Sequence, residues 1–499
     1  MTDGLELALA KMTADGVNPT ARAIFAHHHR QLSAGATGLV PEASVEPVAN
    51  PEVFDDRPDA DAAPAGDADR PGADARPDRP GPDARADPAG ATASATSAAA
   101  RSVDPADREA LARTVIIRLN GGLGTSMGLD RAKTLLPVRE GLTFLDIIVR
   151  QVLAARARFG VTLPLVFLHS FATQADCLAA LALFPQLPVE DLPLDMVQSH
   201  EPKLLASDLT PVSWPQQPDL EWCPPGHGDL YPTLLESHVL DRLLDAGYRY
   251  ASVSNSDNLG CVPSAGLAGW FARSGASYAA EITPRTPMDL KGGHIVRRKA
   301  DGRLILRETA QTAPEEMRFF TDAATHPYTH TNNLWFDLAA LRAKLAATGG
   351  VLGLPLIRNA KTVDPTDPTS PPVVQIESAM GAAIEVFPDA TVIAVPRDRF
   401  LPVKTTNELT LLRSDLYDWG DDWVPRPTVR PAPVVTLGEA YRRIADYEAR
   451  LPHGLGLRRA GRLTVTGDWR FGAGVEIVGD VTLGHEGGEI PAGTVLIGG

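Results

Sequence analysis

Between Arg113 and about Leu416, short apolar runs alternate with stretches of helical periodicity. The runs include TVIIRL from Thr114, LPLVFLH from Leu163, YASVS from Tyr250, YAAEIT from Tyr278, VVQI from Val373 and TVIAVP from Thr391. Between them lie segments such as FLDIIVRQVLAARARFG and LLESHVLDRLLDAG, whose apolar residues recur at helical spacing. A run without polar alternation predicts a strand covered on both faces. Strands alternating with helices predict a layered α/β domain with a mixed, mostly parallel sheet flanked by helices, Rossmann-like in kind.

The flanks differ from this region. Leu5, Leu9, Met12, Ile24, Phe25 and Leu32 predict amphipathic helices in a segment 1–40, broken between Gly16 and Pro19. The run His27-His28-His29 reads as surface, because neighbouring helical residues point apart and cannot converge on one ion. Residues 41–108 collapse to Ala, Asp, Pro, Gly and Arg and predict a disordered linker, because too little apolar surface is available to offset the entropy of ordering. The alternating region then gives a domain 109–420. In 421–499, Val465, Phe471, Ile477 and Leu483 recur every six residues, with Gly467, Ala473 and Gly479 between them. That period predicts a small C-terminal β-helix, left-handed, set as an appendage on the main domain. Its end is open to self-association as a homo-oligomer, or to capping by residues 484–499.

Bulk properties exclude several classes. The net charge is −15, and much of it sits in the linker as Asp55, Asp56, Asp59, Asp61 and their successors. No basic footprint for nucleic acid is evident. No run approaches the roughly 20 apolar residues of a membrane span. The N-terminus MTDGLELALAKMTADG lacks a signal-peptide layout, so a cytoplasmic location is expected, with neither nucleic acid nor membrane as partner. Cys177, Cys223 and Cys261 are widely spaced and suggest neither a disulfide framework nor a zinc site.

The strongest local feature follows the first strand: Ile117-Arg-Leu-Asn-Gly-Gly-Leu-Gly-Thr-Ser-Met-Gly128, with Lys133 beyond. Glycines there let backbone N–H groups approach a phosphate or a base edge, and such ligands sit beyond the carboxyl ends of strands. A P-loop is excluded, because Gly128 is followed by Leu129 and Asp130 rather than Lys-Ser/Thr. The dinucleotide fingerprint fails too: Gly122 and Gly124 begin one, but its third position is Met127.

LNGGLGTSMG with a downstream Lys resembles the nucleotide loop of the eukaryotic-type UTP–sugar-1-phosphate uridylyltransferases, and within them the UDP-glucose pyrophosphorylase family. Further segments carry the resemblance: PPGHGD at Pro224–Asp229, NSDN at Asn255–Asn258, Lys291-Gly-Gly293, RETAQ at Arg307–Gln311 around a hairpin turn at Asp301-Gly302, TNNLWF at Thr331–Phe336, and RFLPVKTT at Arg399–Thr406. His330 stands where that family has Asn. The resemblance implies a nucleotide-diphospho-sugar transferase fold and the conversion of UTP and glucose 1-phosphate to UDP-glucose and pyrophosphate, with Mg²⁺ as cofactor.

It also implies roles residue by residue. Asn120, Gly121, Gly122, Gly124 and Thr125, with Gln198, Gly228 and Asp257, bind the nucleotide, and Asp257 places the metal. His227, Asn255, Gly292, Glu308 and Asn332 hold the sugar, with Asn333 an alternative to Asn332. Lys133 and Lys404 are the catalytic cations. A site of amides, lysines and one carboxylate suits a reaction whose nucleophile is already an anion, where the work is positioning and charge neutralisation. The nearest alternative keeps the chemistry and changes the sugar, as a UDP-N-acetylglucosamine or broad-specificity UDP-sugar pyrophosphorylase. A non-catalytic UDP-sugar-binding regulator is a second, against which Lys133, Asp257 and Lys404 speak. An acyltransferase reading of the six-residue repeat fails because the repeat is too short.

Overall fold

The computed structural model describes residues 4–54, 103–289 and 292–498, with the side chain of Ser126 excepted. Most of the expected linker, including its run of aspartates, and Lys291 lie outside the described residues. An eight-stranded sheet organises the chain. From one edge its strands are Glu52–Val53, Thr391–Ala394, Tyr278–Pro284, Tyr328–Asp337, Tyr250–Asn255, Thr114–Asn120, Leu165–His169 and Asp195–Val197. All neighbours pair in parallel except at Tyr328–Asp337, which is antiparallel to both of its partners.

Both faces of this sheet are covered, as the uninterrupted apolar runs require. Val115, Ile117, Val166, Leu168, Ala251 and Val253 enter one core with Tyr231, Leu240 and Phe336. Ile116, Leu165 and Phe167 enter the other with Ile148, Val152 and Phe271. The Phe144–Phe159 helix on that second face is fixed at its start by a capping box between Thr143 and Asp146. Two reciprocal hydrogen bonds there satisfy amides that a helix start otherwise leaves open. Val373–Ile376, expected with the other strands, belongs instead to a separate three-stranded antiparallel sheet with Ile357–Thr362 and Leu204–Leu205.

Three expectations are corrected. The N-terminal helices Gly4–Ala14 and Pro19–Ser33 form as the breaker at Gly16–Pro19 indicates, but His28 and His29 are buried. The second helix is wedged against two loops, and Nε2 of His28 meets the Leu354 carbonyl at 2.9 Å while Nε2 of His29 meets that of Leu209 at 3.2 Å. The linker is also narrower than 41–108. Val45–Pro47 pairs with Val296–Arg298, Glu52–Val53 extends the main sheet, and Pro105–Ala112 is a helix. Few apolar residues suffice there because the edges they join supply the hydrogen bonds. Finally, the C-terminal strands form no detached appendage. Gly456–Val465, Glu476–Leu483 and Val495–Ile497 stack in parallel, and Trp469–Phe471 stacks on Gly488–Ile490. Val465, Phe471 and Ile477 point inward as the six-residue period requires, yet they share one continuous core with Ile148, Leu409 and Tyr447 of the preceding region. No helix among the described residues is long and apolar enough to cross a membrane.

Phe25 is fully buried in the small core that joins the N-terminal helices to Leu356 and Ile376. Phe25→Ala is expected to cost about 3–5 kcal/mol. Urea unfolding followed by fluorescence measures it, and a loss below about 1 kcal/mol would show that these helices are not part of the cooperative unit.

Candidate active site

The strand ends collect the expected residues on one side of the sheet. Asn255 lies opposite Leu119 in the parallel pairing of Tyr250–Asn255 with Thr114–Asn120, so the glycine loop and the NSDN turn leave the sheet as neighbours. The antiparallel strand brings its beginning, Tyr328–Asn332, to the same edge. A short bridge between Asn258 and Pro402 then lays the RFLPVKTT segment beside them.

The electrostatic centre is Asp257. Lys133 Nζ donates to its Oδ2 at 2.7 Å, and Lys404 Nζ reaches the same oxygen at 3.4 Å. Lys133 also donates to the Val403 carbonyl. Burial would raise the Asp257 carboxyl, but the two ammonium groups outweigh it and hold it down at about 2. The second oxygen, Oδ1, is buried without a hydrogen-bond partner among the described residues. The glycine loop closes on this centre: Gly124 adopts φ +71°, and a Cβ there would press on Leu129 at 2.8 Å and on Lys133 at 3.4 Å. Glycine alone takes that conformation without strain.

The base-side residues also meet. A Cβ built on Gly121 would touch Gln198 Nε2 at 3.0 Å. Ser199 donates from both its amide and its hydroxyl to Asp229, at 2.6 and 2.9 Å, which ties Gln198 to the PPGHGD turn. Burial pushes the Asp229 carboxyl up to about 6, against the pull of those bonds. Gly228 packs so closely on Ser378 that a Cβ would lie 2.3 Å from its Oγ. His227 accepts the Met380 amide at Nδ1 (2.9 Å), leaving Nε2, and burial, aided by the Lys404 charge, lowers it to about 4.

On the sugar side, the hairpin His294–Arg307 forms around Gly302 at φ +70°. Gly293 lies so near Glu308 that a Cβ would fall 2.7 Å from its carboxyl. Burial pushes Glu308 up to about 7, with Lys404 pulling the other way. Gly292 packs on Thr329. Asn332 takes φ +57° at an irregularity in its strand, with its side chain beside the His330 ring. Asn333 turns to the other face, donating to Glu281 at 2.9 Å and accepting from Asn258 at 3.1 Å, so its side chain is committed to the core.

Asn120 departs from expectation. Its side chain is buried below the loop, with Nδ2 on His169 at 3.1 Å and Cys177 at 3.1 Å, and Oδ1 accepting from Thr134 at 2.7 Å. It braces the loop instead of facing the cleft, because the last residue of a strand alternates inward. Gly122 and Thr125 are exposed in the loop, and Asn255 is half-buried at its strand end.

Sequence reasoning missed the bracing groups. Glu281, fully buried, is gripped by Arg399 through two bonds of 2.9 Å and accepts Trp335 Nε1 at 2.9 Å. Asn258 ties the Arg399 and Leu401 backbone to the NSDN turn, at 3.0 and 2.8 Å. The glutamate sits inside an apolar strand run, which was the available signal, since a charge there needs a buried partner.

A mixed sheet with a glycine loop, two lysines and a shared carboxylate at its strand ends defines a nucleotidyltransferase. The comparisons name the family. The model described as UTP–glucose-1-phosphate uridylyltransferase matches residues 88–478. The Solanum tuberosum enzyme of that name is 37% identical over 407 residues, covering 80% of this chain and 83% of its own, and the Saccharomyces cerevisiae one is 34% identical, covering 79% of each. A crystal structure of a Leishmania major UDP-glucose pyrophosphorylase mutant with UDP-glucose aligns with a TM-score of 0.85 at 35% identity, covering 100% of this chain and 98% of that one. A Trypanosoma brucei structure aligns at 0.83 with 34% identity, covering 99% and 98%. The chain belongs to the UTP–glucose-1-phosphate uridylyltransferase family.

Glu281→Ala is expected to destabilise the protein by about 3–5 kcal/mol, because it removes the carboxylate that grips the buried Arg399 guanidinium through two of its N–H groups. Equilibrium unfolding in urea measures it; a change under about 1 kcal/mol would mean that the pair does not hold the Lys404 segment in place.

Proposed function

We propose that this protein joins glucose 1-phosphate to UTP, forming UDP-glucose and releasing pyrophosphate. The observation that carries the reading is the meeting of Lys133 and Lys404 on Asp257 at the mouth of the glycine loop. The amides of Gly121 to Thr125 and Gln198 receive the uridine, and Gly228 borders it. Lys133 and Lys404 turn to the phosphates, and His227, Asn255, Gly292, Glu308 and Asn332 receive the sugar.

A phosphate oxygen of glucose 1-phosphate attacks the α-phosphorus of UTP, and the bond to pyrophosphate breaks on the opposite side. The nucleophile is an anion at neutral pH, so the protein supplies orientation and neutralising charge rather than a base. Mg²⁺ fits the residues present. Asp257 Oδ1 is a buried hard oxygen without a partner among the described residues, and no cluster of three or more His, Cys, Asp or Glu able to hold a metal occurs among them. One carboxylate with phosphate and water completing the sphere is the usual Mg²⁺ arrangement. Bound there, Mg²⁺ would supply charge to the phosphates. Lys133 and Lys404 neutralise the phosphates, while the loop amides keep hold of the uridine.

The same reading takes the C-terminal stack as a left-handed β-helix, with its exposed Ile497 edge as the end available to a second copy. It keeps the helical segment 1–40 as a unit of organisation and places the protein in the cytoplasm.

Pyrophosphate release from UTP, glucose 1-phosphate and Mg²⁺, with ATP, GTP and dTTP as controls, tests the reaction; no release would overturn it. Lys404→Ala is expected to lower turnover at least about tenfold with circular dichroism unchanged. A near-normal rate would remove Lys404 from the chemistry. Glu308 gives a pH signature. Its carboxyl is protonated below about 7 in the free protein, and sugar hydroxyls donate to the carboxylate. Affinity for UDP-glucose is therefore expected to rise about tenfold between about pH 6 and about pH 8, and to stay flat in Glu308→Gln. Calorimetry measures both, and an equal profile in the two proteins contradicts the assignment.

A further inference from the structure

The nucleotide loop leaves the central sheet at Asn120 and closes on itself at Thr134, the residue after Lys133. Both side chains are buried, and Thr134 Oγ1 donates to Asn120 Oδ1 at 2.7 Å across a sequence separation of 14. A buried threonine hydroxyl commonly donates to a carbonyl four residues back, as Thr114 does to Ala110 and Thr410 to Thr406, each at 2.8 Å. Thr134 instead reaches the side chain of a strand end, so its bond joins the two ends of the loop.

Asn120 is itself held on several sides. Its Nδ2 meets His169 Nδ1 and the Cys177 sulfur, each at 3.1 Å, and its carbonyl accepts the Thr173 hydroxyl at 2.7 Å. The Cys177 sulfur also lies 3.7 Å from Thr134 Oγ1. The Ser170 hydroxyl donates to the next carbonyl, that of Gly121, at 2.9 Å. These partners come from the adjacent parallel strand Leu165–His169, the turn after it and the helix Gln174–Leu181, whose Cys177 and Leu181 are part of the core. One end of the loop is therefore fixed to the sheet, and Thr134 carries that fixity to the other end.

Lys133 is placed by what surrounds it. Ala132 and Thr134 are buried on either side, while Lys133 between them is half-buried, with its ammonium group on Asp257 at 2.7 Å. Its amide makes a long bond, 3.3 Å, to the Gly122 carbonyl within the loop. A lysine stem is a flexible four-carbon chain, so where its ammonium group stands depends on how firmly the backbone beneath it is held. A displacement of about 1 Å in a reacting or charge-neutralising group is enough to cost about a hundredfold in rate.

We infer that Thr134 is a positioning residue for Lys133: its hydrogen bond to Asn120 closes the neck of the loop and sets the ammonium group against the phosphates. The inference rests on the proposed reaction and on the role of Lys133 in it. Thr134 touches no substrate; it acts through the residue before it.

The test is a double-mutant cycle on full-length protein, read as turnover and KM with UTP and glucose 1-phosphate. Thr134→Val keeps the shape and removes the donor. It is expected to lower kcat about tenfold while the KM for glucose 1-phosphate holds within about twofold, and Thr134→Ser, which keeps the hydroxyl, to recover most of the loss. In a Lys133→Ala background, followed in single turnovers with protein in excess, adding Thr134→Val is expected to change the rate by less than about twofold, because the group it positions is gone. A hydroxyl that only adds stability would lower the unfolding midpoint and leave kcat unchanged. One that shapes the whole pocket would cost the same factor in both backgrounds. Either result overturns the inference. If Thr134→Val fails to fold, Thr134→Ala, equally unable to donate, is read in the same cycle. Wild-type protein that releases no pyrophosphate from UTP and glucose 1-phosphate fails the reaction itself, a result distinct from active wild type with an indifferent Thr134→Val.

Discussion

Two ammonium groups compete for one oxygen of Asp257, and the rest of the site is arranged to make that meeting occur. Lys133 comes from beyond the glycine loop, 124 residues before the carboxylate, and Lys404 from 147 residues after it. Neither could find Asp257 without the strand order that places Thr114–Asn120 beside Tyr250–Asn255 and without the Asn258–Pro402 bridge. The carboxylate neutralises both lysines through one oxygen, and its second oxygen is buried without a hydrogen-bond partner among the described residues. In the proposed reaction a triphosphate would exchange one set of charge pairs for another, which would avoid burying a bare charge.

Behind this centre is a second ion pair that never meets the substrate. Glu281 and Arg399 are bound bidentately in the core, with Trp335 and Asn333 filling the remaining acceptor sites of the carboxylate. Such a pair adds little stability of its own, yet it fixes where the backbone after Arg399 must run. Asn258 reads that backbone from the other side. The geometry of Lys404, an exposed and flexible side chain, is thus inherited from a rigid and dry network a few residues earlier.

The sequence made some of this legible. Strands buried on both faces appear as unbroken apolar runs, and TVIIRL, YASVS and YAAEIT lie in the central sheet. The loop glycines, Lys133, Asp257 and Lys404 announced themselves by motif, and the structure brings them together. What stayed hidden depends on contacts between distant segments. Tyr328–Asp337 opens with polar residues and gives no strand signal, because its polar start faces the cleft and a buried glutamate rather than apolar core. Val373–Ile376 has the composition of a central strand, but its pairing with Leu204–Leu205 is invisible locally. Asn120 sits in the most informative motif of the chain and still turns inward to Thr134 and Cys177. A motif names the segment that forms a site; the strand's alternation decides which of its side chains face the ligand.

The central proposal is that Asp257, which meets Lys133 and Lys404 through one oxygen, would hold a divalent cation through the other and so add charge for the triphosphate. The direct measurement is UTP affinity as a function of Mg²⁺ concentration, by calorimetry, in the native protein and in Asp257→Asn. The account requires that Mg²⁺ tighten UTP binding in the native protein and that the substitution abolish most of that dependence, while binding without Mg²⁺ holds or improves because the two lysines are no longer drawn to a carboxylate. Superimposable Mg²⁺ curves for the two proteins would contradict it.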